Sequence, residues 1–350
     1  MVRRIKRRND DRGSEILWGI LVIVLAIGLV SGFYVYLIQG SGEEKLTIYS
    51  GRSAELVNDI IEDFESTTDI EVEVKYGSTS EIAGTLLEEG EDSPADIFYA
   101  QDPGGIGAVE HMLATLPDEL LENSPERFRS PEDKWVGISG RARVVVFNTD
   151  VLEEEDLPDS IEDFTDSEWE GRIGWAPTNP SFQTMVTAMR AVWGEDRTEE
   201  WIEGIQENDP TAYNANTPTV KAVADGEVDV GFVNHYYLFR FLEEEGEDFS
   251  ARNYHLRDGG PGSTMMISGA GILETSTSRE EAEQFLEFLL SQQGQEYFAE
   301  KTYEYPVHEE VETHPMLKPL DEIDFPEVSM EDMDDLEGTL DLLRETGVIS

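Results

Sequence analysis

"GEVDVGFVNHYYLFRF", Gly226 to Phe241, is the stretch on which the reading of the chain turns. "GEVDVGFV" reads as a tight turn into a buried strand. Asn234, His235 and two adjacent tyrosines, Tyr236 and Tyr237, then follow. Neighbours on a strand point to opposite faces, so both phenols reach one place only if the chain leaves the strand there. Two readings stand at this point. The pair is either an aromatic couple packed in the core, each hydroxyl needing one partner, or a pair of oxygen donors at a strand end.

Outward from this stretch, strands and helices alternate. "KLTIYS" and "IEVEVKYG" read as strands, each followed by an amphipathic helix, "SAELVNDIIEDFESTT" and "STSEIAGTLLEEG". "ADIFYA" is a third strand before "DPGGIGAVEHML", and "RARVVVFN" is a long one. A second unit runs through "GRIGWAP", the helix "SFQTMVTAMRAVW", "TAYNA", the helix "TVKAVADG" and "VDVGFVN". The strand "STMMISGAGIL" precedes one continuous helix over 278–301 and a C-terminal helix, "MDDLEGTLDLLRETG". This order predicts an α/β fold with a mostly parallel sheet. Ser53, Asn179-Pro180 and Asn216-Thr217-Pro218 read as helix starts, a cap followed in two cases by Pro. In open α/β sheets such turns gather at the C-terminal strand edge, where ligands bind.

Acidic residues number 76 against 25 basic ones, a formal charge of −51 spread along the chain. With 39% hydrophobic residues a real core is expected, so this is a folded protein suited to concentrated salt, where screening shortens the repulsion. The same charge argues against a nucleic-acid partner. The absence of cysteine excludes disulfides, thiolate metal sites and a lipid-modified N-terminal cysteine. Residues 1–15 are basic, and Ile16 to Ile38 carries no charge over 23 residues. That length spans a bilayer of roughly 30 Å. The basic flank places residues 40 onward outside the cell. An uncleaved anchor is expected on length, with a cleaved signal peptide as the alternative and 39–44 as linker.

The chain resembles the extracellular solute-binding proteins of ABC importers, and within them the ferric-iron-binding group. The resemblance rests on an ordered set of motifs: "LTIYSGRSAELV", "SPADIFYAQDPGGIG", "WVGISGRARVVVFN", "GRIGWAPTNPSFQ", "AYNANTPTVKAV", "GEVDVGFVNHYY", "SGAGIL" and "EYPV". It implies a two-lobed, periplasmic-binding-protein-like fold with a hinge of crossing strands, preceded by the N-terminal transmembrane helix. One lobe takes 45–142 plus 267–306 and the other 143–266, with a C-terminal helical segment, 307–350, packing on the lobes.

The family's paired tyrosines bind Fe(III), which assigns that role to Tyr236 and Tyr237. Phenolates are hard oxygen donors suited to a small trivalent cation. Where many members have a His after the first strand, this chain has Ser53. A carboxylate after the third strand falls at Gln101, with Asp102 beside it. Tyr213 is the nearest further phenol. Tyr49 and Tyr99 read as core, and His235 as pointing away from the pair. The resemblance also implies a synergistic anion, carbonate or phosphate. Arg141 and Arg143, on one strand face by their spacing, match the basic segment at the cleft. Arg52, Asn179, Ser181, Asn216 and Asn234 are further candidates.

The expected function is therefore iron capture by a membrane-anchored extracellular monomer. It would deliver Fe(III) to a permease driven by its ATPase, with no catalysis. A binder of an oxyanion or other small solute is the alternative. A secreted hydrolase lacks any G-x-S-x-G or H-E-x-x-H support.

Overall fold

The computed structural model describes residues 45–308, 310–329, 331–333 and 335–350. The basic segment, the apolar span and the linker over 1–44 lie outside the described residues. Among the described residues no helix is long and apolar enough to cross a membrane.

The first half builds one parallel layer. β1 (Lys45–Ser50), α1 (Ala54–Thr68), β2 (Glu71–Tyr76), α2 (Thr79–Glu89), β3 (Ile97–Ala100) and α3 (Pro103–Val109) follow in turn, then a single turn, α4 (Asp118–Leu121). Leu56, Val57, Ile60, Ile61 and Phe64 recur at helical spacing in α1 and are its buried face. Asp69, at φ 61°, ends it. A capping box of Ser78 and Glu81 starts α2.

β4 (Val136–Asn148) then crosses the molecule with every residue buried. Its 13 residues reach about 43 Å if extended. Up to Ala142 it pairs antiparallel with β9 (Met265–Ile272), and from Arg143 it pairs antiparallel with β7 (Val230–Asn234).

The second half contains β5 (Ile173–Trp175), α5 (Pro180–Trp193), α6 (Glu195–Glu207), β6 (Thr211–Ala212), α7 (Asn216–Ala224), β7, α8 (Tyr236–Glu245) and β8 (Ala251–Tyr254). The chain returns along β9 through α9 (Arg279–Leu290), α10 (Gln292–Lys301), β10 (Tyr305–Pro306) and α11 (Leu336–Glu345).

The strand order is β2-β1-β3-β9-β4-β7-β5-β6, with β8 and β10 added on β4. Pairing is parallel within β2-β1-β3 and β7-β5-β6, and antiparallel wherever β9 and β4 take part. The expectation of a mostly parallel sheet thus holds within each half and fails at the crossing, because β9 and β4 run against their neighbours. Two packed lobes result. One holds Phe64, which meets Phe285 edge-on at 5.1 Å, in a core that runs on across the crossing strands to Val220 and Leu238. The other is filled around Phe164, 4.8 Å from Trp169 and 5.4 Å from Phe232.

Three local expectations change. The helix expected over 278–301 is two helices, because Ser291 is extended and its hydroxyl caps Gly294 at 3.2 Å. α6 is an additional helix, burying Trp201, Ile202 and Ile205. In the segment expected to be helical, 307–350, only Leu336–Glu345 is α-helix among the described residues. α11 docks on α5 through Thr187 and Thr339, 2.8 Å apart, and through Arg190 and Asp335, 2.9 Å apart.

Candidate functional site

β7 ends at Asn234, and the next turn starts α8 at Tyr236. The chain therefore leaves the strand at His235, whose backbone is already helical (φ −60°, ψ −38°). Tyr236 is buried and Tyr237 half-buried. Their rings stack at 4.2 Å with 29° between planes. One helical turn on, the Arg240 guanidinium stands 5.6 Å from both ring centroids. Burial, then the neighbouring Tyr237, push the Tyr236 phenol well above its usual range, while Arg141 pulls the other way. Ionising such a phenol needs a cation against it.

His235 holds the corner. Its Nδ1 accepts from the Ala142 amide at 3.1 Å, so Nε2 carries the proton and donates to the Tyr303 carbonyl at 2.7 Å. Tyr303 presents that carbonyl from a left-handed backbone, φ 55°. Burial pushes the imidazole down to about 4. Both ring nitrogens are committed to backbone groups.

Beside the phenols, Arg143 lies on β4 opposite Asn234. Its Nη1 donates to Asn234 Oδ1 at 3.1 Å, Ser181 Oγ at 3.2 Å and Asn216 Oδ1 at 3.3 Å. Asn179 joins the cluster, accepting from Ser181 Oγ at 2.6 Å and from Asn216 Nδ2 at 3.2 Å. Asn179 is the N-cap of α5. Asn216 is not a cap but the first residue of α7, with Ala215 at the cap position. Close packing brings α7 in. A Cβ at Gly231 of β7 would lie 2.7 Å from Thr219 Cγ2.

The other edge of Arg143, Nε and Nη2, is buried with no hydrogen-bond partner, and so is Asn234 Nδ2. Burial pulls the guanidinium below its usual range. A guanidinium keeps its proton in proteins, so the unmet demand is for an acceptor. The Nε/Nη2 edge is the fork that matches a carboxylate, carbonate or phosphate.

Arg141 and Arg52 are tied differently. Arg52 forms a two-pronged pair with Glu304, Nη1 to Oε1 at 2.9 Å and Nη2 to Oε2 at 2.6 Å, both side chains fully buried. Both Nη groups are taken and only Nε lacks a partner, so Arg52 offers an anion no two-pronged edge, contrary to the expectation that it is open to one. Glu304 also accepts from Ser139 and Thr302, and Arg141 Nε stands 3.6 Å from it. Arg141 donates its Nη2 to the Gln101 carbonyl and leaves Nε without a hydrogen bond. Burial raises the Glu304 carboxyl, but Arg52 and Arg141 outweigh it and hold the group below its ordinary value. Glu304 escaped the reading of the sequence. Its one signal was its place in the "EYPV" motif, since as one of 76 acids it stands out by nothing else.

Among the described residues, no hydrogen bond joins Ser53, Tyr213 or Gln101 to the phenols. Ser53 is exposed at the start of α1, and its hydroxyl does not even cap that helix. Tyr213 lies over Gly174, and its hydroxyl reaches Glu227 Oε2 at 3.4 Å, before the start of β7 and so at the far end of that strand from Tyr236. Gln101 is engaged through its backbone, by Thr79 Oγ1 at 3.1 Å and by Arg141. Among the described residues no cluster of three or more His, Asp or Glu side chains could hold a metal.

Two lobes joined by crossing strands, with polar donors gathered at the strand ends, are the architecture of a binding protein for a small solute. The chain belongs to the family of bacterial extracellular solute-binding proteins, whose model matches residues 59–323. It is 31% identical over 308 residues to the major ferric iron-binding protein of Neisseria meningitidis, covering 87% of this chain and 93% of that one. It is 31% identical over 313 residues to the Fe(3+)-binding periplasmic protein of Serratia marcescens, covering 88% and 92%. The crystal structure of iron-bound HitA from Pseudomonas aeruginosa matches with a TM-score of 0.83 at 32% identity, over 87% of this chain and 99% of that one. The Trichodesmium protein in complex with iron and citrate matches at 0.77 and 28% identity, over 87% and 99%.

Proposed function

We propose that this chain captures Fe(III) between its lobes, with Tyr236 and Tyr237 as phenolate ligands, and hands it to the permease and ATPase of an ABC importer. The observation that carries this reading is the stacked phenol pair at the turn into α8, beside a buried guanidinium edge with no partner. Two phenolates leave Fe(III) with net positive charge. The buried charges around it are Arg52, Arg141 and Arg143 against Glu304 and Asp102. An anion is therefore part of the site. Carbonate, phosphate or a polycarboxylate seats on Arg143 Nε and Nη2 and on Asn234 Nδ2, and Asn179, Ser181 and Asn216 hold Arg143 in place for it. Arg141 adds charge rather than a fork.

In this reading the lobes are 45–142 with 267–306 and 143–266, and 307–350 packs against them. The chain acts as an extracellular monomer anchored by 16–38, in a medium of concentrated salt. No catalytic step is needed. The unpartnered donors also favour a second reading, an oxyanion binder that needs no metal.

Fe(III) supplied as its nitrilotriacetate complex separates the two. An iron site of phenolates gives a visible charge-transfer band whose position changes when carbonate is replaced by phosphate or citrate. An oxyanion binder gives no band, and its melting temperature rises with the anion alone.

A further inference from the structure

On the reverse side of α8 lies a cavity of about 530 Å³. Leu238, Phe239 and Leu242 form its floor, facing Leu317. At about 100° per residue these positions lie on the opposite face of the helix from Tyr236, Tyr237 and Arg240.

Two enclosed polar atoms at this cavity have no hydrogen-bond partner, Asn253 Oδ1 and His255 Nδ1. Asn253 gives its Nδ2 to the His235 carbonyl at 2.7 Å. A carbonyl only accepts, so Oδ1 is the atom left over. Burial pushes His255 down to about 3, so its ring is neutral. Among the lining charges, Arg252 is closed by Glu247 at 3.1 Å and Glu154 by Arg257 at 3.1 Å. Lys318 and Glu322 line the cavity with no ion pair among the described residues.

We propose that this cavity is a second binding site, for a compact zwitterion with an apolar body, the class of an apolar α-amino acid. The carboxylate meets Lys318 and a donor from His255. The ammonium meets Asn253 Oδ1 and Glu322. The apolar body covers Leu238, Phe239 and Leu242. A pocket of this size, with an apolar floor and polar and charged walls, is of the kind that holds small molecules. The site stands independently of iron.

The test is calorimetric titration of the full chain, in molar KCl, with L-phenylalanine and L-leucine, and with phenethylamine and 3-phenylpropionate as analogues lacking one charge. Saturable binding of an amino acid is expected, with the matching analogues at least about tenfold weaker because each leaves a buried polar group unpaired. Lys318→Glu weakens binding by a similar factor, and Leu242→Trp fills the cavity and abolishes it. Tyr237→Phe leaves it unchanged. Should Leu242→Trp fail to fold, Lys318→Glu at the cavity edge decides alone. No saturable binding of either amino acid overturns the proposal. So does equal binding of the one-charge analogues, or indifference to Lys318→Glu.

Discussion

Arg143 keeps one edge of its guanidinium on Asn234, Ser181 and Asn216 and leaves the other edge unpartnered. Arg52 spends both prongs on Glu304. The two arginines look alike in sequence and differ in what surrounds them. Arg143→Gln keeps a donor toward the asparagines but removes the fork and an uncompensated charge. Its stability should stay within about 1 kcal/mol of the parent. Its iron retention against citrate should fall at least about tenfold, and its colour should no longer respond to the anion. Absorbance during chelator competition, read beside a thermal melt, checks both. Glu304→Ala has the opposite signature. It strands Arg52 as a buried cation without a partner and should cost about 3–5 kcal/mol. The denaturant midpoint in molar salt measures this.

The corner between β7 and α8 is held by His235, and its burial makes that corner sensitive to pH. The unfolded chain protonates this ring near 6.5, the folded chain only at about 4. Between those values the unfolded state binds the extra proton. Stability is therefore full above pH 6.5 and falls as pH drops toward 4, by up to about 1.4 kcal/mol per unit, or about 3 kcal/mol over the window. His235→Gln, which keeps an acceptor and a donor, should flatten that part of the melting-temperature profile. An unchanged slope would remove His235 from the account. The same corner shows what the sequence makes legible. A strand that must end where two phenols meet can be read from alternation alone, as can Arg141 and Arg143 on one face of β4. The break at Ser291 cannot, because apolar spacing continues through it and only the cap reveals it. Arg52 was misassigned because its partner lies 252 residues downstream. Asn216 was read as a cap from its Pro-containing neighbourhood, whereas the fold turns its amide toward Arg143.

Across the molecule, a charge of −51 surrounds three buried apolar clusters. The repulsion acts over about 10 Å at 0.1 M salt and about 3 Å at 1 M. The melting temperature should therefore rise steadily with KCl into the molar range, and a flat response would mean the charges are compensated locally. The iron reading is itself a property of the whole molecule, since the crossing strands bring β4 and β7 together and so place the phenols beside Arg143. Its most direct test is titration of the parent chain, Tyr236→Phe and Tyr237→Phe with ferric nitrilotriacetate in molar KCl, following the visible band and the melting temperature together. Removing a hydroxyl keeps the ring volume, so each variant should fold as the parent does. Each should lose iron affinity by orders of magnitude and lose or shift the band, because a charged ligand to a trivalent cation is gone. Parent colour and affinity in both variants, with a stability change of about 1 kcal/mol, would contradict the account and leave the pair as core packing.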